Sequence, residues 1–184
     1  MLRQPRPRPL FLTCFIASCV LALLACSPAL DWREVRAEGG ELIVLLPCKP
    51  EKLSRRIAIA GEPTDVTLQA CTAQGTTWAL TSADVGEPMR VDPALAALRR
   101  ARTENLAGRE TQAQPWQLEG MRPSVQAAQV TVSGQRPDGS AVVEHGWYFA
   151  RGTRVFHVAA LGGTPSAEAL ETFARGLSFK VESR

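Results

Sequence analysis

Histidine and cysteine are the side chains best suited to hold a metal or to act as nucleophiles. The two histidines, His145 and His157, fall on the two predicted strands of one hairpin, whose turn we place at 151–152. With this two-residue turn His145 pairs with Val158 and His157 with Gly146, so the histidines lie on opposite faces of the sheet. A three-residue turn would bring them to one face. On the two-residue pairing we predict neither a metal centre nor a cofactor.

Short motifs of catalytic and phosphate-binding sites are missing from the sequence. It contains no G-x-S-x-G nucleophile turn, no glycine-rich phosphate loop and no C-x-x-C pair. We therefore predict that the protein is not an enzyme and assign no catalytic residue. A catalytic triad built from scattered residues stays open as an alternative.

Residues 1–25 have the organisation of an export signal. A basic stretch with three arginines and no acid precedes residues 10–25, which carry no charge and end in Ala25. This apolar stretch is shorter than the roughly 20 residues that a membrane-spanning helix needs. The pattern predicts a signal peptide over 1–25, with a retained signal anchor as the alternative.

The end of this leader, Leu23-Leu24-Ala25-Cys26, resembles the lipobox of bacterial lipoproteins. The resemblance implies a diacylglyceryl group on the thiol of Cys26, cleavage before Cys26, and a further acyl chain on its amine. Two or three acyl chains anchor a protein stably, whereas one does so marginally. Ser27 resembles the residue that follows the cysteine in proteins sorted to the outer membrane. Ordinary secretory cleavage, releasing a soluble protein, is the other alternative.

Cys48 and Cys71 lie outside the leader, and an even pair of cysteines in an exported domain indicates a disulfide. Predicted strands at 55–60 and 66–70 flank a turn signal at 61–63. If these strands pair, positions near 50 lie opposite positions near 72. This hairpin would bring Cys48 and Cys71 together, and we predict a disulfide between them, with two buried free thiols as the alternative.

Charge argues against nucleic acid as a partner. The chain has 21 Lys and Arg against 18 Asp and Glu. The excess of three is accounted for by Arg3, Arg6 and Arg8 of the leader, so the remainder is neutral overall. Nucleic-acid binding requires a surplus of positive charge on one face. Local clusters such as 99–102 have acids nearby and are interpreted as solvated faces.

The part of the chain after the leader predicts strands joined by short turns, with two helices. The first helix should begin with Asp92 as N-cap and Pro93 at its first position and end before Gly108. The second should open at 164–165, and residues 109–124 should be irregular apart from a short strand near Trp116. The predicted strands are 41–46, 55–60, 66–70, 76–85, 125–133, 141–150 and 153–161, with a short extended segment at 177–179.

This order resembles that of the PsbP-like domains, including the small DcrB-like envelope lipoproteins. The likeness lies in an apolar strand ending in Leu46-Pro47, two meanders, the Gly-Trp-Tyr-Phe of 146–149, and a helix ending in the Leu-Ser-Phe of 177–179. The Asp-Trp-Arg of 31–33 also resembles that of other Gram-negative lipoproteins. The resemblance implies an α+β fold in which one antiparallel sheet of about six to eight strands packs with two helices.

We therefore expect a signal peptide at 1–25, a lipidated N-terminus and tether at 26–40, and a single α+β domain at 41–181. The expected function is non-enzymatic: a domain anchored in the membrane through Cys26, facing the periplasm, in the outer membrane, where it docks a protein partner or has an accessory role. Trp116, in the irregular stretch, is the best candidate for a binding aromatic. One alternative function is a carrier of small ligands or lipids, which needs a cavity between the sheet and the helices. The other is an enzyme of unknown class.

Overall fold

A computed structural model describes residues 30–180. The predicted signal peptide and the lipidation site Cys26 lie outside the described residues. The described part forms ten strands, two α-helices (α1, Val91–Asn105; α2, Ala167–Arg175) and a 3-10 turn at Pro88–Arg90. The strands are β1 Arg33–Arg36, β2 Leu42–Leu46, β3 Glu51–Ile59, β4 Glu62–Ala73, β5 Thr76–Asp84, β6 Arg109–Pro115, β7 Ala128–Gln135, β8 Ala141–Arg151, β9 Arg154–Leu161 and β10 Ser178–Phe179.

The larger sheet has seven antiparallel strands in the order β3-β4-β5-β9-β8-β7-β6. The meander β3-β4-β5 and the meander β6-β7-β8-β9 join where β5 pairs with β9. Two-residue turns close the β3–β4, β4–β5 and β8–β9 hairpins, and the turn between β3 and β4 has positive φ at both Ala60 and Gly61. This is the geometry of a type I′ turn, whose twist matches that of the strands.

The smaller sheet has three strands in the order β1-β2-β10. Both pairings with the central strand β2 are antiparallel. In β2 the side chains of Leu42, Val44 and Leu46 are fully buried, whereas those of Ile43 and Leu45 are partly exposed. β2 therefore turns one apolar face towards the core, and the burial on both faces suggested by its continuous apolar sequence is wrong.

Two apolar layers cover the two faces of the larger sheet. On one face, the small sheet and α2 enclose aromatic side chains of both sheets and of the helix. On the other face, α1 lies over β8 and β9 and buries Val91, Ala94 and Leu95. Because side chains alternate along β8, Trp147 and Phe149 lie on one face and Val142 and Tyr148 on the other.

The expectation of an α+β fold of the PsbP-like kind is wrong. Strands make up 50% and helices 18% of the described chain, and two antiparallel sheets of seven and three strands pack as a β-rich sandwich. The small sheet is the main difference, because Arg33–Arg36, assigned to the tether, pair with Leu42–Leu46. These strands and β10 form a second sheet where the prediction had one sheet covered by helices alone.

The segment expected to be irregular contains β6, Arg109–Pro115, at the edge of the larger sheet. All of its residues are exposed, so its sequence has no alternation of apolar and polar residues. A β-bulge interrupts its pairing with β7 between Glu110 and Gln112. Strand prediction from periodicity fails for such an edge strand because neither face is buried.

The helix boundaries also differ from prediction. Helix α1 begins at Val91, directly after the 3-10 turn, and its N-cap Arg90 has no side-chain capping bond. Asp92 lies in the first turn, where it accepts a hydrogen bond from Ser124 Oγ at 2.6 Å. Helix α2 begins at Ala167, and the hydroxyl of its N-cap Ser166 accepts a bond from the Ala169 amide.

Candidate functional site

The disulfide predicted between Cys48 and Cys71 is present, with the two Cα atoms 5.9 Å apart. Cys48 follows β2 of the small sheet, and Cys71 lies in β4 of the large sheet. The bond therefore joins the two sheets, and the pairing of Glu51 with Ala70 places it at the open end of the β3–β4 hairpin, as predicted.

The described chain enters the fold beside this disulfide. Leu30 and Trp32 pack against the core between the sheets, and the ring of Trp32 meets Trp78 edge-on with centroids 5.6 Å apart. The amide of Asp31 donates a hydrogen bond to the carbonyl of Pro47 at 3.0 Å. We call the surface formed by residues 30–33, 47–51 and 70–77 the entry corner.

A shallow depression of about 440 Å³ opens at the entry corner. Its charged lining residues are Lys49 and Glu51, both exposed, and the hydroxyls of Thr72 and Thr77 add polar contacts. The two opposite charges suit a dipolar or zwitterionic group.

No helix within residues 30–180 has the length and apolar character needed to cross a membrane.

A second cluster of chemistry-bearing side chains lies beneath α1. Glu144 of β8 is 1% exposed, and Arg102 of α1 donates a hydrogen bond to one of its carboxylate oxygens. Nε2 of His157, on β9, lies 3.3 Å from the other oxygen without the alignment of a hydrogen bond. Arg99, three residues before Arg102 on the same helix, pairs with Glu110 of β6.

The backbone of β8 makes room for this cluster at Gly146. A Cβ atom there would lie 3.1 Å from Nε2 of His157 and 3.2 Å from the Tyr148 ring. Without it, the imidazole stacks on Tyr148, the residue directly opposite on β8, with ring centroids 4.3 Å apart and planes 8° apart. A side chain at position 146 would therefore crowd the imidazole of His157 and the ring of Tyr148, which would have to shift by a few tenths of an ångström.

The surroundings of Glu144 act on its pKa in opposite directions. Burial raises the pKa of the carboxyl, but His157 and Arg102 together lower it more, so that its pKa lies below the ordinary value. Burial likewise raises the pKa of Tyr148, with a further contribution from Glu144. The carboxylate is therefore held in its charged form, and the phenol in its neutral form.

This cluster binds α1 to the sheet. Its acid and its imidazole are almost fully buried, since Glu144 is 1% and His157 8% exposed. A general acid or base must come within hydrogen-bond reach of a substrate proton, and α1 covers these two groups. Arg99 and Arg102, interpreted from the sequence as part of a solvated face, are instead half-buried partners of acids on the sheet.

The two histidines lie on opposite faces, as predicted, although the pairing differs. The turn is Gly152–Thr153, so His145 pairs with Ala160 and His157 with Tyr148. The shift by two positions leaves each histidine on its predicted face, because side chains alternate with a period of two. In residues 30–180 no three His, Cys, Asp or Glu side chains gather in a way that could hold a metal ion.

Trp116, the predicted binding aromatic, borders a surface groove of about 410 Å³ near the end of β6. Its ring is partly buried and meets Trp147 edge-on at 6.3 Å, so one side of it belongs to the core. Next to it, Val125 is 91% exposed. We call this surface, formed by Trp116, Val125 and 113–115, the Trp116 groove.

Sequence reasoning found the disulfide but missed the cluster around Glu144. The sequence of β8 could have indicated the cluster, because Glu144 lies on the same face of the strand as Val142 and Tyr148, which is the face that α1 covers. A single acid at a buried strand position requires a partner, and Arg102 is that partner.

No model of a known protein family matches the chain, and comparison with curated proteins finds no significant match.

Proposed function

We propose that this chain is a lipid-anchored domain of a bacterial cell envelope that faces the periplasm, in the outer membrane, and docks a protein partner there without catalysing a reaction. The observation that carries the proposal is the Cys48–Cys71 disulfide in a chain whose leader ends in Leu-Leu-Ala-Cys. Disulfides of this kind persist in oxidising compartments such as the periplasm. A lipidated Cys26 would attach the domain to the membrane that borders this compartment.

Expression in a Gram-negative bacterium with an alkyne analogue of palmitate tests the anchor. The proposal expects the analogue to label the wild-type protein and the label to disappear in Cys26→Ser. A matched control, Cys19→Ser, changes a cysteine of the leader and should keep the label. Label that persists in Cys26→Ser, or an unmodified N-terminus in the wild type by mass spectrometry, would contradict the proposal.

The Trp116 groove is the surface that we assign to the protein partner. It combines a partly buried aromatic ring with a nearly fully exposed Val125, and aromatic anchors in pockets contribute strongly to protein interfaces. β6 beside it leaves its outer edge free within the described chain, so an extended segment of a partner could add to the sheet there.

A photo-crosslinking residue at position 125 in intact cells tests this assignment. We expect one discrete crosslinked product that is lost on Trp116→Ala. The same photo-crosslinker at Glu62, an exposed residue of the β3–β4 turn, should give no such product. Equal crosslinking from positions 125 and 62, or a product unaffected by Trp116→Ala, would contradict the assignment.

A carrier of small ligands or lipids is less well supported. Such a carrier needs an internal cavity between the layers, and the large side chains of Trp78, Trp147, Phe149, Phe156 and Phe173 fill the space between the sheets. Each of these residues is no more than 1% exposed. A ligand would have to displace them.

A further inference from the structure

The described fold begins very close to the proposed lipidation site. Leu30 already packs against the core, Asp31 is bound to Pro47, and β1 begins at Arg33. Chain residues from 30 onwards are therefore fixed to the domain. Most of the segment assigned to a tether from the sequence is not free to act as one.

The length of chain between Cys26 and Leu30 limits how far the domain can stand from the membrane. An extended chain spans at most about 3.5 Å per residue, so four steps span about 14 Å. Seven strands spaced about 4.8 Å apart make the larger sheet roughly 30 Å wide. The connection from Cys26 to Leu30 is therefore at most about half as long as the sheet is wide. This short connection keeps the entry corner next to the lipid headgroups.

Resting on the lipid anchor proposed above, we propose that the entry corner is a membrane-contact surface that rests on the headgroups of a zwitterionic bilayer. The exposed Lys49 and Glu51 would meet the phosphate and the ammonium group of such headgroups. The charges are complementary to a surface that carries both signs. A strongly anionic surface would instead call for a cluster of basic residues.

This contact orients the rest of the molecule. Strands β3, β5, β6 and β8 all start at the end of the sheet that bears the entry corner, since neighbouring strands are antiparallel. The turns at 60–61 and 152–153 and the end of β6 therefore lie at the opposite end. The Trp116 groove follows β6 directly, so it is displayed away from the membrane.

Site-directed fluorescence on the full lipidated protein in vesicles of the zwitterionic lipids phosphatidylethanolamine and phosphatidylcholine tests the orientation. One variant carries a fluorophore at Gln74→Cys, an exposed position of the entry corner, and its matched control carries it at Glu62→Cys, exposed at the opposite end. The Cys48–Cys71 pair stays oxidised during labelling. With a quencher attached to lipid headgroups, we expect quenching at position 74 to be at least threefold stronger than at position 62.

A second pair of samples lengthens the connection between Cys26 and the domain by inserting twenty Gly and Ser residues after Ser27. This insertion should make quenching at the two positions equal while the protein remains bound to vesicles. Equal quenching in the vesicle-bound protein without the insertion would overturn the inference and leave the anchor standing. Failure of the purified native protein to float with vesicles would overturn the anchor and the inference together.

Discussion

Glu144 shows how one residue can organise a layer of the molecule. A carboxylate that is 1% exposed is stable only when neighbouring groups replace its hydration, and here Arg102 and His157 do so. Gly146 supplies the space and Tyr148 the flat surface against which His157 lies. The position of α1 over the sheet thus depends on polar contacts as well as on its apolar residues.

Arg102→Met tests this dependence. Removing the guanidinium leaves a buried carboxylate with one neighbouring imidazole, and breaking such a pair costs about 3 kcal/mol. Urea unfolding should show this loss in the free energy of unfolding. Arg100→Met is the control on the same helix, because its pair with Glu104 is exposed and should contribute less than about 0.5 kcal/mol. Equal effects of the two substitutions would show that the buried pair does not hold the helix.

The pH dependence of stability provides a second test of Glu144. Because its pKa is lowered in the folded state, the unfolded chain binds more protons at acidic pH. The stability that this group contributes is complete above the unfolded pKa, near the ordinary 4.5, and is lost as the pH falls through the folded pKa. The difference in unfolding free energy between wild type and Glu144→Gln should therefore shrink from about pH 6 to about pH 3. A difference that stays constant over this range would contradict the assignment.

At the scale of elements, strands with one buried face could be predicted, whereas of the strands without one only β3, which precedes the turn signal at 61–63, was predicted. β7, β8 and β9 carry apolar residues at buried positions, and the sequence places them within a few residues. β6 is exposed on both faces, and β1 has a single buried residue, Val35, so neither has a periodic signal. Missing β1 concealed the small sheet, because the other pairing of β2, with β10, joins residues that are far apart in the sequence.

In the candidate sites too, the feature with a local sequence pattern could be predicted and the one that depends on tertiary contacts could not. The Cys48–Cys71 bond could be inferred because two cysteines and one hairpin leave few geometries. The contact of Arg102 with Glu144 joins residues far apart in sequence, one on a helix and one on a sheet. It could not be inferred, because the sequence pattern does not show how the helix lies on the sheet. A local sequence pattern can predict that an acid is buried, but it does not predict which basic residue pairs with that acid.

Ala60 gives a prediction at the level of a single hairpin. Its φ of 50° lies in the left-handed region, which costs alanine about 1 kcal/mol, and asparagine before glycine is the preferred sequence of this turn. Ala60→Asn should therefore raise the free energy of unfolding by about 0.5–1 kcal/mol in urea. Ala58→Asn, at an exposed strand position of the same hairpin, should not stabilise the protein. Stabilisation by both substitutions would indicate an effect unrelated to the turn.

In the whole molecule, the entry of the chain, the disulfide and the junction of the two sheets coincide. β1 and β2 lead from the entry to Cys48, and Cys71 belongs to the strand next to β5, which contributes Trp78 to the core. A pull on the proposed anchor would therefore be transmitted to β1 and, through the disulfide, to the larger sheet. The disulfide therefore links the segment that follows the small sheet to the larger sheet.

Replacing both cysteines, Cys48→Ala with Cys71→Ala, tests this role. The bond closes a loop with a sequence separation of 23, and its loss frees the unfolded chain by about 3 kcal/mol in the chain-entropy model. Urea unfolding of the double variant should show this loss, and wild type treated with a reductant should show the same loss. In the double variant the small sheet should also exchange its amide hydrogens faster than the larger sheet, because only the chain segments 47–50 and 162–177 then link the two sheets covalently within the described residues. A reduced wild type as stable as the oxidised one, with both thiols shown to be free, would mean that apolar packing between the sheets holds the small sheet in place without the bond.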